Sequence, residues 1–298
     1  MTRGPSATLR QLMSGDDVIV APFVFDALSA RMATEAGFKA LYLSGGALGY
    51  LKAVSEANLT PHDMVQVGID ITTACQTPLI LDGAGGWGDP MHIRRTIALA
   101  ERAGFAGIEI EDQVLPKRVH HHVGIERHIP QELMVAKIRE AVAARRDPDF
   151  IVIGRTNTGR HDMDEALRRS EAYHKAGADM LLSFPCSPEQ MRILGERLPP
   201  PLMAFVGPGQ SLGAMDITPQ EMAKLGFRLL ADAVNPLVAL HAALARCYAS
   251  LVKGEPDKGV ANPRGELDAI LKTINFTALL DVERATVERD AVTAGARG

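Results

Sequence analysis

Hydrophobic and polar positions along the chain follow two alternating patterns. Short apolar runs rich in β-branched residues alternate with segments whose apolar residues recur at helical spacing, such as 130–145 and 163–176. Eight strand–helix units of this kind predict a (β/α)8 barrel, with a doubly wound open sheet as the alternative. The runs interpreted as strands are 17–24, 38–45, 77–83, 105–112, 149–156, 178–184, 201–206 and 227–233.

A short glycine turn recurs where a predicted helix gives way to a strand. It reads Ala-Gly-Phe at 36–38 and 103–105, Ala-Gly-Ala at 176–178, and Leu-Gly-Phe at 225–227. Because glycine adopts the left-handed conformation without steric cost, each turn predicts a helix end directly before a strand.

The segment after the eighth strand is helical in pattern. Residues 235–253 have apolar residues at helical spacing and a proline near their start, which predicts the eighth helix of the barrel. We therefore expect a barrel domain at 1–253 and a C-terminal helical extension at 254–298. The extension packs either on the barrel or on a neighbouring subunit, and the pattern alone leaves both alternatives open.

Composition is that of an ordinary globular protein, with 46% hydrophobic and 23% charged residues. The net charge of −4 shows no excess of basic residues that would indicate nucleic-acid binding. No apolar run is long enough to predict a membrane span, and the first residues lack the apolar core of a signal peptide. The cysteines Cys75, Cys186 and Cys247 are far apart, which favours reduced thiols and a cytoplasmic location.

Candidate anion-binding residues stand at the ends of two predicted strands. Active sites of (β/α)8 barrels lie at the C-terminal strand ends, so these positions are informative. The second strand ends in Ser44, Gly45 and Gly46, where backbone N–H groups can reach a carboxylate or phosphate, although an ordinary turn is the alternative. The fifth strand ends in Arg155, whose planar guanidinium matches a carboxylate.

Candidate metal ligands end the third and fourth strands. Asp82 closes the third strand, and Glu111 closes the fourth, directly before Asp112. Carboxylates on adjacent strand ends suit Mg²⁺, with Mn²⁺ also possible, since both ions take oxygen ligands. Helix capping or pairing with Arg155 is the alternative role. Glu109 lies on the same strand face as Glu111 and either points into the barrel or pairs with a cation.

Four motifs together resemble the isocitrate lyase/phosphoenolpyruvate mutase superfamily. They are Leu-Tyr-Leu-Ser-Gly-Gly at 41–46, Leu-Asp-Gly-Ala-Gly-Gly-Trp-Gly at 81–88, Gly-Ile-Glu-Ile-Glu-Asp-Gln-Val-Leu-Pro-Lys-Arg at 107–118 and Ile-Gly-Arg-Thr-Asn at 153–157. The resemblance covers essentially the whole chain. It implies a (β/α)8 barrel, usually with its eighth helix exchanged in a dimer or tetramer, and a Mg²⁺-dependent reaction of an acidic 2-oxo or 2-hydroxy acid through an enolate-like species.

The resemblance also implies roles for particular residues. The glycine-rich turn would hold a substrate carboxylate, the two strand-end acids would serve Mg²⁺, and the arginine would bind the oxo-acid end of the substrate. The residues concerned are Ser44, Gly45, Gly46, Asp82, Glu111 and Arg155.

The catalytic loop departs from the superfamily's lyase pattern. Lyase members read Lys-Arg-Cys-Gly-His, with the cysteine transferring protons, whereas here Lys117 and Arg118 precede Val119 and a run of three histidines, 120–122. Valine cannot transfer a proton, but histidine titrates near neutral pH. His121 aligns with the superfamily's histidine and is the first candidate for the acid. Lys117 and Arg118, with Arg155, are the other predicted catalytic residues. A solvated loop or a structural contact is the alternative.

Other positions depart as well. The second acid of the Asp-x-Asp pair is Ala84, a common glutamate is replaced by Cys186, and a common asparagine by Phe205. The usual proline–aspartate pair after the second strand is not visible, and Ser55 or Glu56 falls near its place.

Three functions remain open from the sequence. The first is a Mg²⁺-dependent lyase that cleaves or decarboxylates a small 2-oxo or 2-hydroxy acid. Loss of the cysteine argues against isocitrate or methylisocitrate cleavage, while a decarboxylase of oxaloacetate type needs only enolate stabilisation and a proton source. The second is a phosphonate mutase or hydrolase that uses the cations of the loop. The third is a barrel that binds a metabolite without catalysis.

Overall fold

An eight-stranded parallel barrel forms the body of the protein. The structure, a computed structural model, describes residues 3–184 and 187–288. The hydrogen-bonded strand order is β1-β8-β7-β6-β5-β4-β3-β2, and a parallel bridge between Phe23 and Tyr42 connects the two edges. The predicted (β/α)8 barrel is therefore confirmed. The strands are β1 Ile19–Pro22, β2 Leu41–Leu43, β3 Leu79–Asp82, β4 Gly107–Glu111, β5 Ile151–Thr156, β6 Met180–Ser183, β7 Leu202–Phe205 and β8 Phe227–Asp232.

Helices alternate with the strands and continue after the last one. They are α1 Pro5–Met13, α2 Ala27–Glu35, α3 Gly45–Leu51, α4 Pro61–Ala74, α5 Pro90–Arg102, α6 Gln131–Ala144, α7 Met163–Lys175, α8 Pro188–Arg197, α9 Pro219–Lys224, α10 Asn235–Val252, α11 Pro263–Thr273 and α12 Phe276–Ala285. The two helices predicted at 130–145 and 163–176 correspond to α6 and α7.

All four predicted glycine turns adopt the left-handed conformation. Their φ angles are +97° at Gly37, +81° at Gly104, +105° at Gly177 and +86° at Gly226. Each glycine follows a helix and precedes a strand, so the chain reverses without the Cβ strain that another residue would introduce.

Two hydrophobic clusters stabilise the barrel. The larger lies between the strands and the surrounding helices, and the smaller fills the barrel interior with side chains such as Ile80, Ile153 and Met203. Leu9 and Met13 of α1 belong to the inner cluster, so α1 packs at the base of the barrel. Burial of this apolar surface is the main favourable term in folding.

Because side chains alternate along each strand, the last residue of a strand can point to the same side as the barrel interior and reach its C-terminal end. Residues two apart share a face, so an interior apolar residue is followed by a polar or aromatic one at the strand end. Ile80 is followed by Asp82, and Ile153 by Arg155. The fold thereby positions the strand-end residues that the sequence singled out.

The chain forms two compact units, 1–239 and 240–298. Within the second unit, α11 and α12 contact each other, and Arg246 pairs with Asp257 at 2.9 Å. The division at 239 falls inside α10, and the assignment of 254–298 as a separate extension stays a prediction. No helix in the described part of the chain has the length and apolar character needed to cross a membrane.

The glycine turns give a direct test of the fold. Alanine at Gly37 meets no neighbouring atom within 4 Å but must hold a φ of +97°, so Gly37→Ala should lower the free energy of unfolding by roughly 1–2 kcal/mol. Gly213 also has open space, and its φ lies outside the left-handed region, so Gly213→Ala is the matched control and should change stability little. Urea unfolding measures both variants, and equal stabilities would contradict the turn assignment.

Candidate active site

A cavity of about 660 Å³ opens at the C-terminal ends of the strands. Its wall includes six of the residues predicted from the sequence, namely Ser44, Gly46, Asp82, Lys117, His121 and Arg155. Gly45 and Glu111 do not line the cavity but contact residues that do. Arg118 is exposed and outside the cavity wall, and its contact with the predicted catalytic residue His121 is made by its backbone carbonyl.

Asp82 is a buried carboxylate that forms no ion pair with a lysine, arginine or histidine side chain among the described residues. Its Oδ2 accepts a hydrogen bond from the Gly45 N–H at 2.9 Å, and its Oδ1 accepts one from the Ala84 N–H at 3.0 Å. Burial raises the pKa of Asp82, and the nearby Glu56 raises it further, while Lys117 and Arg155 oppose the shift. The Gly45 N–H is therefore used to position Asp82. Ser44 and Gly46, on either side of Gly45, line the cavity wall.

Lys117 joins two buried acids from different parts of the chain. Its ammonium donates to Glu56, in the short helix after α3, and to Glu111 at the end of β4. Burial alone would raise the pKa of both carboxyls, but Lys117 lowers both, together with His121 at Glu56 and Arg155 at Glu111, and the net shift of each pKa is downward. Burial likewise opposes the charged ammonium, yet its acids raise the pKa of Lys117. All three groups are thus held in their charged forms.

Arg155 lies between acids and aromatic rings. Its Nη1 donates to Glu109 Oε1 at 2.6 Å, and its Nε donates to Asn157 Oδ1 at 2.8 Å. The guanidinium carbon lies 5.0 Å from the ring centre of Phe184 and 5.2 Å from that of Phe205. These contacts are in the range of cation–π attraction and fix the direction of the guanidinium.

Glu109 points into the barrel and also pairs with a cation, Arg155, so the two alternatives predicted for this residue are both observed. Its second oxygen accepts from the Tyr42 hydroxyl at 2.9 Å. Burial raises the pKa of Glu109 to about 7, even though Arg155 lowers it. Tyr42 and Arg155 therefore hold an acid whose protonated form is favoured by burial.

Asp112 faces away from the cavity and organises the barrel wall. It accepts hydrogen bonds from the Thr156 hydroxyl at 2.7 Å, the Tyr173 hydroxyl at 2.8 Å and Arg169 Nη1 at 3.1 Å. The backbone N–H of Asn157 donates to it at 3.2 Å. This buried network ties the end of β4 to α7 and to the segment after β5.

Of the three loop histidines, His121 has the firmest contacts with the site. Its Nδ1 lies 2.6 Å from the Arg118 carbonyl oxygen, and its Nε2 lies 3.3 Å from Glu56 Oε2. Burial lowers the pKa of His121, but the bond to Glu56, the contact with the Arg118 carbonyl and the negative charge of Glu56 together outweigh it, and the net shift is upward. His122 bonds to the Tyr50 hydroxyl at 3.0 Å, and burial lowers its pKa. His120 is exposed.

A second group of potential metal ligands involves the loop. Glu56, His121 and His122 each offer a ligand atom, and these atoms lie within 4.8 Å of one another. Imidazole nitrogens suit transition ions better than Mg²⁺. The residues of this mixed nitrogen–oxygen group, Glu56, His121 and His122, all line the cavity.

The departures from the superfamily pattern have distinct structural outcomes. Ala84 is buried with a φ of +45° and lends only its backbone N–H to Asp82. Val119 stands at the position of the superfamily's cysteine and is 53% exposed. Its hydrocarbon side chain has no group that can transfer a proton. Phe205 lines the cavity. Cys186 lies outside the described residues.

Some site residues had weak or no sequence signals. Glu56 was only one of two residues near the missing proline–aspartate pair, and the structure places it at the centre of the site. Asn157, whose Nδ2 donates to Glu111 at 2.7 Å, stood inside a quoted motif without a role. Tyr42 and Phe184 carry no sequence signal of a role in the site, since an aromatic residue in an apolar strand is usually a core residue.

Fold and site together define an enzyme of the (β/α)8-barrel class, with buried acids and two cations at a cavity sized for a small molecule. The comparison with known proteins is then specific. The chain belongs to the phosphoenolpyruvate phosphomutase family, whose model matches residues 9–252. The superfamily resemblance predicted from the four motifs is confirmed.

Named relatives extend over most of the chain. A 2,3-dimethylmalate lyase from Eubacterium barkeri is 30% identical over 283 residues, which cover 94% of this chain and 95% of the relative. An oxaloacetate decarboxylase from Pseudomonas putida (strain GB-1) is 32% identical over 252 residues, 84% of this chain and 85% of the relative. A solved structure of oxaloacetate acetylhydrolase with the inhibitor 3,3-difluorooxalacetate has a TM-score of 0.82 at 30% identity and covers 95% of this chain and 97% of that one.

The Asp112 network predicts a large stability effect away from the cavity. Asp112→Asn removes the charge that partners the buried Arg169, and breaking a buried pair from one side costs about 3–5 kcal/mol. Chemical unfolding monitored by circular dichroism measures the loss. Glu196→Gln removes an exposed acid and should change stability little. A fully stable Asp112→Asn variant would contradict the structural role.

Proposed function

We propose that this protein is a Mg²⁺-dependent carbon–carbon lyase that acts on a small acidic 2-oxo or 2-hydroxy acid through an enolate-like species. The observation that carries the proposal is that one cavity wall holds both the buried carboxylate of Asp82 and the guanidinium of Arg155, two described residues that do not form an ion pair with each other. One group suits a metal and the other suits an anionic substrate. The lyase and decarboxylase relatives support the same chemistry.

The donor atoms fit a hard divalent cation. Asp82 is buried and faces the cavity, and burial and the nearby Glu56 raise its pKa although Lys117 and Arg155 act against the shift, so a bound divalent cation would stabilise its charged form. Glu111 is the second proposed ligand, although Lys117 and Asn157 already contact its oxygens. A bound Mg²⁺, with Mn²⁺ as the alternative, would neutralise charge that develops on the enolate oxygen. The Ser44 hydroxyl, Gly46 and Arg155 would hold the carboxylate end of the substrate.

Proton transfer is assigned to the loop. Glu56 raises the pKa of His121 and so favours the imidazolium form that can donate a proton at neutral pH. Lys117, held charged between Glu56 and Glu111, would stabilise negative charge and keep the loop at the cavity. The catalytic role predicted for Arg118 stays a prediction, since its side chain is exposed.

The phosphonate alternative receives less support from the geometry. Extra cations would be needed around a phosphonate, yet Lys117 is engaged by two acids, and Arg118 is outside the cavity wall. A panel of 2-oxo acids, 2-hydroxy acids and phosphonopyruvate, with pyruvate, carbon dioxide and phosphate measured separately, tests the proposal. Phosphate release alone would favour phosphonate chemistry, and no product from any substrate would favour a non-catalytic barrel.

The metal assignment predicts the effect of removing one carboxylate. Asp82→Asn should weaken Mg²⁺ binding by roughly 10–100-fold and abolish turnover, because the variant keeps the shape of the side chain but loses its charge. Calorimetric titration with Mg²⁺ measures the affinity. Asp17→Asn, an exposed acid in the segment before β1, is the charge-matched control. Unchanged Mg²⁺ affinity in Asp82→Asn would refute the assignment.

The loop assignment predicts a kinetic effect. His121→Ala should lower kcat by roughly 10²–10⁴-fold, the usual contribution of general acid catalysis, while Mg²⁺ affinity stays nearly the same. His62→Ala, at an exposed site on α4, should keep full turnover. Steady-state kinetics with calorimetry separates the two readouts. If the variant loses metal instead, the loop histidines are ligands and a transition ion is the better candidate.

The pH dependence gives a second check on His121. Glu56 raises the pKa of this imidazole, so Glu56→Gln should lower it and move the alkaline limb of the kcat profile to lower pH. An alkaline limb that stays in place would show that a different group donates the proton.

We also propose a homo-oligomer, a dimer or tetramer, in which the eighth helix is exchanged between subunits. Apolar side chains of the second unit are exposed, among them Tyr248, Leu251, Leu279 and Val282, each at 56% or more. Such surfaces are unusual in a monomer. Sedimentation equilibrium at micromolar concentration should give two or four times the chain mass of 32.0 kDa. A stable species at that single-chain mass would contradict the proposal.

A further inference from the structure

We propose that the substrate carries a single carboxylate, at its 2-oxo end, and an uncharged apolar group at the other end. This inference rests on the proposed function and narrows its substrate class. It separates the protein from an enzyme for a dicarboxylic substrate such as oxaloacetate.

The cavity is divided between a polar side and an apolar side. Its charged residues come mainly from the ends of β2 to β5, whereas the residues contributed by the ends of β6 to β8 are mostly apolar. In a barrel these two sets of strands face each other. The apolar side includes Phe184, Phe205, Val206, Met215 and Val234.

The cations of the cavity are already engaged. Lys117 bonds to Glu56 and Glu111, and Arg155 bonds to Glu109. One anionic group of the substrate can still be met at Arg155 and the proposed metal. A second carboxylate on the apolar side would find no arginine or lysine among the described lining residues, and the polar Ser187, Gln190 and Gln210 on that side carry no positive charge to offset it.

The acid on the apolar side strengthens this argument. Asp216 lines the cavity there, and it is exposed. Its negative charge would repel a second substrate carboxylate. An uncharged apolar group meets no such repulsion.

Phe205 is the main specificity-determining residue in this account. Its ring centre lies 5.7 Å from that of Tyr42 and 5.4 Å from that of Phe184, with edge-to-face geometry in both pairs. Aromatic packing of this kind fixes the ring at the boundary between Arg155 and the apolar side. An asparagine here would offer a donor and an acceptor to a polar substrate group, whereas phenylalanine offers neither.

A 4-hydroxy-2-oxo acid with an alkyl group on C4 satisfies these requirements. Its carboxylate and 2-oxo group would lie on the polar side and its alkyl group on the apolar side. In retro-aldol cleavage the C4 hydroxyl loses its proton, the C4–O bond becomes the aldehyde carbonyl and the C3–C4 electron pair forms the enolate of pyruvate. Protonation of C3 then balances the reaction, which yields one aldehyde and pyruvate without an oxidant or reductant.

Binding of two matched 2-oxo acids tests the inference without requiring turnover. In 5-methyl-2-oxohexanoate an isopropyl group replaces the distal carboxylate of 2-oxoglutarate, so the pair differs mainly in charge. Calorimetry in the presence of Mg²⁺ should show the isopropyl compound binding at least about tenfold tighter. Equal or tighter binding of 2-oxoglutarate would overturn the substrate class and leave the lyase proposal standing. Failure of both compounds to bind would overturn both.

Two variants of Phe205 locate the cause of the preference. Phe205→Leu keeps an apolar wall and should keep the affinity ratio within about threefold, whereas Phe205→Asn should reduce the ratio about tenfold. Thermal unfolding confirms that each variant is folded, and the ratio within one variant corrects for a general loss of affinity. An unchanged ratio in Phe205→Asn would remove Phe205 from the proposal.

Turnover of a second matched pair completes the test. The substrates are 4-hydroxy-5-methyl-2-oxohexanoate and 4-hydroxy-2-oxoglutarate, and pyruvate release is the common readout. We expect kcat/KM to favour the isopropyl substrate by at least about tenfold. A preference for 4-hydroxy-2-oxoglutarate would overturn the inference.

Discussion

The burial of four carboxylates at one end of the barrel is the constraint on which the site depends. Glu56, Asp82, Glu109 and Glu111 are each at most 7% exposed, and burying a charge is unfavourable unless it is paired. Lys117 and Arg155 offset part of this charge, and burial favours the protonated forms of Asp82 and Glu109. Glu56, Glu109 and Glu111 each contact a lysine or arginine side chain, whereas Asp82 forms no ion pair with a cation among the described residues. A site with unmet negative charge is suited to a cation.

The same electrostatics connects distant parts of the chain. Lys117 ties the segment after β4 to Glu56, and Glu56 in turn contacts His121, so the loop histidine is brought to the cavity by the need to neutralise an acid. Arg155 links the polar side to the aromatic residues Phe184 and Phe205. In the function proposed above, charge compensation and substrate selection share this residue.

Local patterns were enough to predict the barrel. Strand and helix periodicity and the glycine turns depend on near neighbours, and strand ends converge in any barrel, so Asp82 and Arg155 were recognisable as cavity residues. Glu56 was not recognisable in this way, because its partner Lys117 lies 61 positions further along the chain. Arg118 shows the opposite case, since a residue inside a motif can still point to solvent. The polarity division of the cavity arises from eight strand ends at once, which no single segment reveals.

Stabilisation by a divalent cation tests the central claim most directly. If the buried acids leave unmet negative charge, Mg²⁺ binds the native state preferentially and raises the midpoint of thermal unfolding at neutral pH, in proportion to the logarithm of its concentration once the site is saturated. Potassium chloride at the same ionic strength controls for screening. The account predicts a rise with Mg²⁺ that potassium does not reproduce. An unfolding midpoint that is the same in Mg²⁺ and in potassium would contradict it.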